Sequence, residues 1–171
     1  MLAAASAWRI LETEHTRLRQ LLAAISPVLE EGSWQQRGPQ LTLLRQRIQA
    51  FQDFETATHR PKGVVLMDTM RGRSAQADEL LALLDNESSH CEDLLAQALA
   101  LLEAFEQDGH ADAGEVAALL RQHRDAMTEH LDREDTVLRA YTAQTLTSEE
   151  WSAVVSSISS VVQRGRRVPR D

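Results

Sequence analysis

The chain has 171 residues, of which 43% are hydrophobic and only 4% aromatic. That length holds one buried core without disulfide staples, and a makeup rich in Ala, Leu, Gln, Glu and Arg favours helices over sheets. A net charge of −8 with no basic stripe argues against nucleic-acid binding, while the single cysteine, Cys91, excludes an internal disulfide framework and a cysteine-based zinc site.

At the start of the chain, Met1–Trp8 is apolar but lacks a basic n-region and soon meets Arg9 and Glu12, so it reads as helix rather than signal peptide. No run approaches the ~18 apolar residues of a membrane span. The expectation is a cytoplasmic domain that does not engage membranes. Ser6 caps a first helix reaching Glu31, with Pro27 bending its end and Gly32-Ser33 and Gly38-Pro39 marking the turn. Helix two runs from Pro39 through His59. Because Pro61 lacks a donor and restricts Arg60, residues 63–70 form either a kinked continuation or a separate turn. Gly72 closes that element, and Ser74 opens a long third helix ending near Asp108-Gly109. Asp112 with Glu115 forms a capping box for the fourth helix, and Thr147 with Glu150 does the same for a shorter fifth. His110 in the turn reads as exposed. One domain over 1–163 is expected, followed by a basic, frayed tail over 164–171.

The histidines fall on the faces that must be buried. Helix one carries Trp8, Leu11, His15, Leu18, Leu22 and Ile25 at spacings of three and four, and helix two carries Leu41, Leu44, Ile48, Phe51, Glu55 and His59. Helix three gives Leu80, Leu83, Glu87, His90, Leu94, Leu101 and Phe105, with Cys91 on a neighbouring face. Helix four gives Val116, Leu120, His123, Met127, His130, Glu134, Leu138 and Tyr141. A single core histidine is usually a satisfied packing residue. Imidazoles and carboxylates on four such stripes would cost several kcal/mol of desolvation unless a shared cation satisfied them. Nitrogen and carboxylate donors without thiolate suit iron or manganese better than zinc, and this pattern in a helical core is that of carboxylate-bridged metal sites. His123 reads as a supporting or packing residue, and Cys91 as buried packing.

The order of these elements resembles the hemerythrin-like cation-binding family. Its pattern of a lone His, His-x-x-x-Glu, a lone His and His-x-x-x-Glu is matched by Glu14-His15, His59-Arg60-Pro61-Lys62, His90, and His130-x-x-x-Glu134-Asp135, across residues 5–144. The resemblance implies an all-α, up-down-up-down four-helix bundle, here with an additional shorter C-terminal helix. It also implies a non-haem di-iron centre whose ligands in this chain are His15, His59, His90, His130 and Glu134. The chain departs from the pattern at one place: the position four after His59 is Gly63, followed by Val64 and Val65, so a bridging carboxylate is missing.

Three outcomes follow. Glu55 or Glu87 replaces the lost ligand; the remaining set holds one metal, or two with water in the vacant places; or the fold persists as a relic without metal. The resemblance implies iron binding in oxygen, redox, nitric-oxide or iron handling, with O2 or NO as ligand, and it leans away from enzymatic turnover. The competing reading is a metal-free helical interaction module. In it, the fifth helix, with Trp151, Val154, Val155, Ile158, Val161 and Val162, either packs within the chain or pairs two copies as a homodimer.

Overall fold

A computed structural model describes residues 2–108 and 112–166, with side chains through 107 and from 112 to 161. His110 and residues 167–171 of the expected tail lie outside the described residues. The described chain is all-α and contains no strand: α1 (Leu2–Glu31), α2 (Pro39–Phe54), α3 (Arg60–Met70), α4 (Ala75–Asp108), α5 (Ala113–Arg133), α6 (Arg139–Thr145) and α7 (Ser148–Arg166). No helix among the described residues is long and apolar enough to cross a membrane.

The helix ends follow local chemistry. Gly32 (φ 79°) and Gly72 (φ 76°) adopt the left-handed backbone that side chains disfavour, and each ends the helical run before it. Ser74 accepts a hydrogen bond from the Ala77 N–H at 3.1 Å and so caps α4. Asp112 accepts from the N–H groups of Gly114 and Glu115 at 2.8 and 3.3 Å. The box at α7 is reciprocal: the Thr147 N–H donates to Glu150 at 2.8 Å, and the Glu150 N–H donates to Thr147 Oγ1 at 3.3 Å.

Two helical runs pass through a wider π turn. Glu55–His59 joins α2 to α3 without a break, and Glu134–Leu138 joins α5 to α6. In each, an N–H reaches back five residues, Arg60 to Glu55 and Arg139 to Glu134. The first has a visible cause, since the Pro61 ring would collide with the carbonyl four residues earlier in a tight helix and a wide turn relieves that contact. The alternatives for residues 63–70 thus resolve to a continuation, reached through a π turn. No proline accounts for the second π turn.

Contacts group the described residues into two compact units, one from residues 2–18, 52–82 and 133–166, the other from residues 19–51 and 83–132. In the first unit α7 packs on α3. Trp151, Val154 and Ile158 of α7 are buried, as are Leu66 and Met70 of α3. In the second, Leu22, Ile25, Leu44, Ile48, Phe51, Leu84, Leu102, Leu120 and Met127 supply buried side chains, and the Trp34 indole N–H donates to the Leu29 carbonyl at 2.9 Å.

Three of the four stripes expected from the spacing are buried along their length, apart from half-buried Tyr141. The α4 stripe is displaced by one residue. Its buried positions are Ala77, Leu81, Leu84, Cys91, Leu94, Leu95, Ala98 and Leu102, whereas Leu83 is 42% exposed and His90 is exposed. Desolvation favours this phase, because it buries Cys91 where the other would bury His90.

Candidate metal centre

The first unit gathers histidines and carboxylates from three segments. His15 comes from α1, His59 closes the first π turn and Glu134 opens the second; all three are buried, and their ligand-capable atoms lie within 4.8 Å of one another. Glu134 Oε2 is 3.0 Å from His15 Nε2 and 3.6 Å from His59 Nε2. The two rings meet edge to face with centroids 4.8 Å apart.

A further layer fixes the rings. His15 Nδ1 lies 2.6 Å from Asp135 Oδ1, and in the tautomer that donates there the Nε2 lone pair is left for a cation. His59 Nδ1 faces Glu14 Oε2 at 3.6 Å, while the other Glu14 oxygen is bound by the ammonium of buried Lys62. Lys62 also donates to the Thr58 carbonyl at 2.8 Å.

Burial pulls the pKa of His59 down, but the carboxylates of Glu134 and Glu14 outweigh it and lift the imidazole to about 9. Burial likewise works against protonation of His15, yet Asp135 and Glu134 raise it despite the opposing charge of His59. The pocket therefore favours positive charge. Three of its atoms, Glu14 Oε2, His15 Nε2 and His59 Nδ1, are buried without a hydrogen-bond partner. Orphaned donors and acceptors of this kind are costly in a folded chain, and a cation held among nitrogen and carboxylate donors relieves the cost. The residues present fit a metal ion.

A family model, the hemerythrin HHE cation-binding domain, matches residues 6–141. The chain belongs to the hemerythrin HHE cation-binding family. The domain of this family is a helical bundle that binds cations, and the cluster of His15, His59 and Glu134 in the HHE domain of this chain is suited to that task. No curated protein and no solved structure matches the chain.

Within this HHE domain the other expected ligands have different surroundings. His90 points outward from α4 and is exposed. The reading that put it on the inward stripe is corrected by the one-residue shift of that helix. His130 is buried in the second unit, its Nδ1 3.3 Å from Glu87 Oε2. Glu87 is thus turned to His130. Glu55 is clamped by Arg60, which donates to its two oxygens at 3.0 and 2.7 Å. Gly63 lies inside α3, and a Cβ there would meet only Met67 Cε, at 4.0 Å.

Spacing alone passed over the roles of Glu14, Lys62 and Asp135. Lys62 follows His59 by three, which in a helix shares its face, and that was the available signal. Glu14 and Asp135 each adjoin a core residue, and adjacency carries no such signal.

Proposed function

We propose that this HHE domain binds iron through His15, His59 and Glu134, and that it serves oxygen, redox, nitric-oxide or iron handling with O2 or NO as ligand. The observation that carries this reading is the buried convergence of two imidazoles and a carboxylate with orphaned polar atoms around them. The donor set suits iron, and bound iron would supply Lewis acidity and one-electron chemistry there. Asp135 holds His15 in the tautomer that presents Nε2, Glu134 supplies the anionic oxygen shared between the rings, and Glu14 stands behind His59. A buried free thiol, Cys91, accords with the reducing cytoplasm proposed here for the chain.

The interaction-module alternative let α7 either pack within the chain or pair two copies; α7 packs on α3, with Trp151, Val154 and Ile158 buried.

The test is elemental analysis of protein from iron-supplemented medium. Wild type is expected to retain iron, His15→Ala, His59→Ala and Glu134→Ala to lose at least about tenfold in affinity, and His90→Ala to behave as wild type. Wild type that folds but takes up no metal would overturn the reading.

A further inference from the structure

Lys62 is buried to 4% exposure beside the candidate metal centre, an unusual place for an ammonium. It lies three residues after His59, about one turn along the same helical run. Its ammonium donates to two groups: Oε1 of Glu14, on α1, and the carbonyl of Thr58, the residue before His59, at 2.8 Å. Lys62 thus ties a side chain of α1 to the backbone of the π turn that carries His59. The second oxygen of Glu14, Oε2, faces His59 Nδ1 at 3.6 Å, and both atoms are buried without a hydrogen-bond partner. A small rotation of either group brings them into the range of about 2.7–3.2 Å in which a ring N–H donates to a carboxylate.

We propose that Lys62 is a positioning residue for the metal centre: by holding Glu14 behind His59 it engages Nδ1 with that carboxylate and leaves Nε2 as the nitrogen that meets the metal. The inference rests on the metal-binding reading above and adds the residue that orients the second ring.

A comparison of the two rings supports it. His15 has a carboxylate at Nδ1, Asp135 at 2.6 Å, and its Nε2 lies 3.0 Å from Glu134 Oε2. His59 repeats that order, with Glu14 at Nδ1 and Glu134 Oε2 3.6 Å from Nε2. The nitrogen that a ligand ring presents is set by what engages the other one. The two backing carboxylates differ in setting. Asp135 is part-buried, whereas Glu14 is buried, and a buried carboxylate needs a counter-charge to keep its charge and place. Lys62 supplies that charge, and the Thr58 carbonyl fixes where it stands. Positioning and simple charge predict opposite signs. An ammonium repels a nearby cation, so by charge alone removal of Lys62 would tighten metal binding, whereas loss of a positioning residue weakens it.

The experiment measures the ferrous-iron affinity of the full-length chain by anaerobic calorimetry and reads the His59 ring by nitrogen NMR of isotope-labelled protein loaded with zinc, a diamagnetic ion. Circular dichroism confirms that each variant is folded. Wild type is expected to show a His59 ring protonated at Nδ1 and metal-bound at Nε2. Lys62→Met is expected to lose at least about tenfold in affinity and to divide the ring between the two binding modes. In the Glu14→Gln background, removal of Lys62 is expected to cause no further loss, because its effect passes through Glu14. That comparison carries the test where Lys62→Met alone does not fold.

Unchanged or tighter binding in folded Lys62→Met, or a wild-type ring spectrum in that variant, would overturn the proposal while leaving the metal-binding reading intact. So would wild-type His59 bound through Nδ1, or a further loss of about tenfold in Lys62→Met/Glu14→Gln relative to Glu14→Gln. Folded wild type that binds no metal would overturn both.

Discussion

His123 lies on the buried face of α5, its ring edge-on to Phe51 with centroids 5.1 Å apart. Burial pushes its pKa down to about 4, whereas in an unfolded chain the imidazole titrates near ~6.5. Between those values the unfolded chain binds a proton that the folded chain refuses. The contribution of neutral His123 is therefore complete above pH ~6.5 and is lost as pH falls through about 4, by about 3 kcal/mol over the full window. Urea midpoints of metal-free protein at pH 7, 5 and 4 should fall more steeply for wild type than for His123→Leu. Parallel profiles would show that the ring does not govern acid lability. The rings of His15 and His59 face carboxylates and His123 faces Phe51, so residues of one type are driven in opposite directions by their neighbours.

At the scale of the element, α3 joins the site to the end of the chain. Its Gly63 costs helix stability without using the freedom of a positive φ, and a methyl group there meets only Met67 Cε at 4.0 Å. Gly63→Ala is expected to stabilise the fold by about 0.5–1 kcal/mol, seen as a higher melting temperature with metal content unchanged. On the other side of the contact, Ile158 of α7 is fully buried. Ile158→Ala is expected to cost about 2–5 kcal/mol in urea denaturation, against less than about 0.5 for exposed Ser159→Ala.

The same scale shows what the sequence made legible. On α1, α2 and α5 the apolar residues recur with few competitors, so the stripes through His15, His59, His130 and Glu134 are readable from spacing. On α4 leucines come in neighbouring pairs, Leu80-Leu81, Leu83-Leu84, Leu94-Leu95 and Leu101-Leu102, which fit two phases equally well. The tie is broken by polar residues between them, and that misplaced His90. The π turns left a trace too: Phe51, Glu55 and His59, then His130, Glu134 and Leu138, advance in successive steps of four. In an ordinary helix each such step would turn the stripe roughly 40° further from the core, and the wider turn absorbs the drift. The buried Lys62–Glu14 pair depends on tertiary placement and had no comparable pattern.

For the whole molecule, metal binding and folding are one linked equilibrium. A cation that binds the folded chain and not the unfolded one raises stability by about 2.7 kcal/mol at a free concentration ~100 times the dissociation constant. Ferrous iron is accordingly expected to raise the melting temperature of wild type and to leave that of His15→Ala and Glu134→Ala unmoved. Equal shifts in all three proteins would place the stabilising ion elsewhere.

The first unit is built from the beginning, middle and end of the chain, and His15 meets Asp135 across a sequence separation of 120. At roughly 5–20 residues per second, a ribosome that has just placed His15 takes roughly 6–24 s more to reach its partner. Until then the nascent chain presents its histidines singly, without the enclosed, anion-lined pocket that makes them a site. Metal loading is therefore a late event in the life of each new molecule.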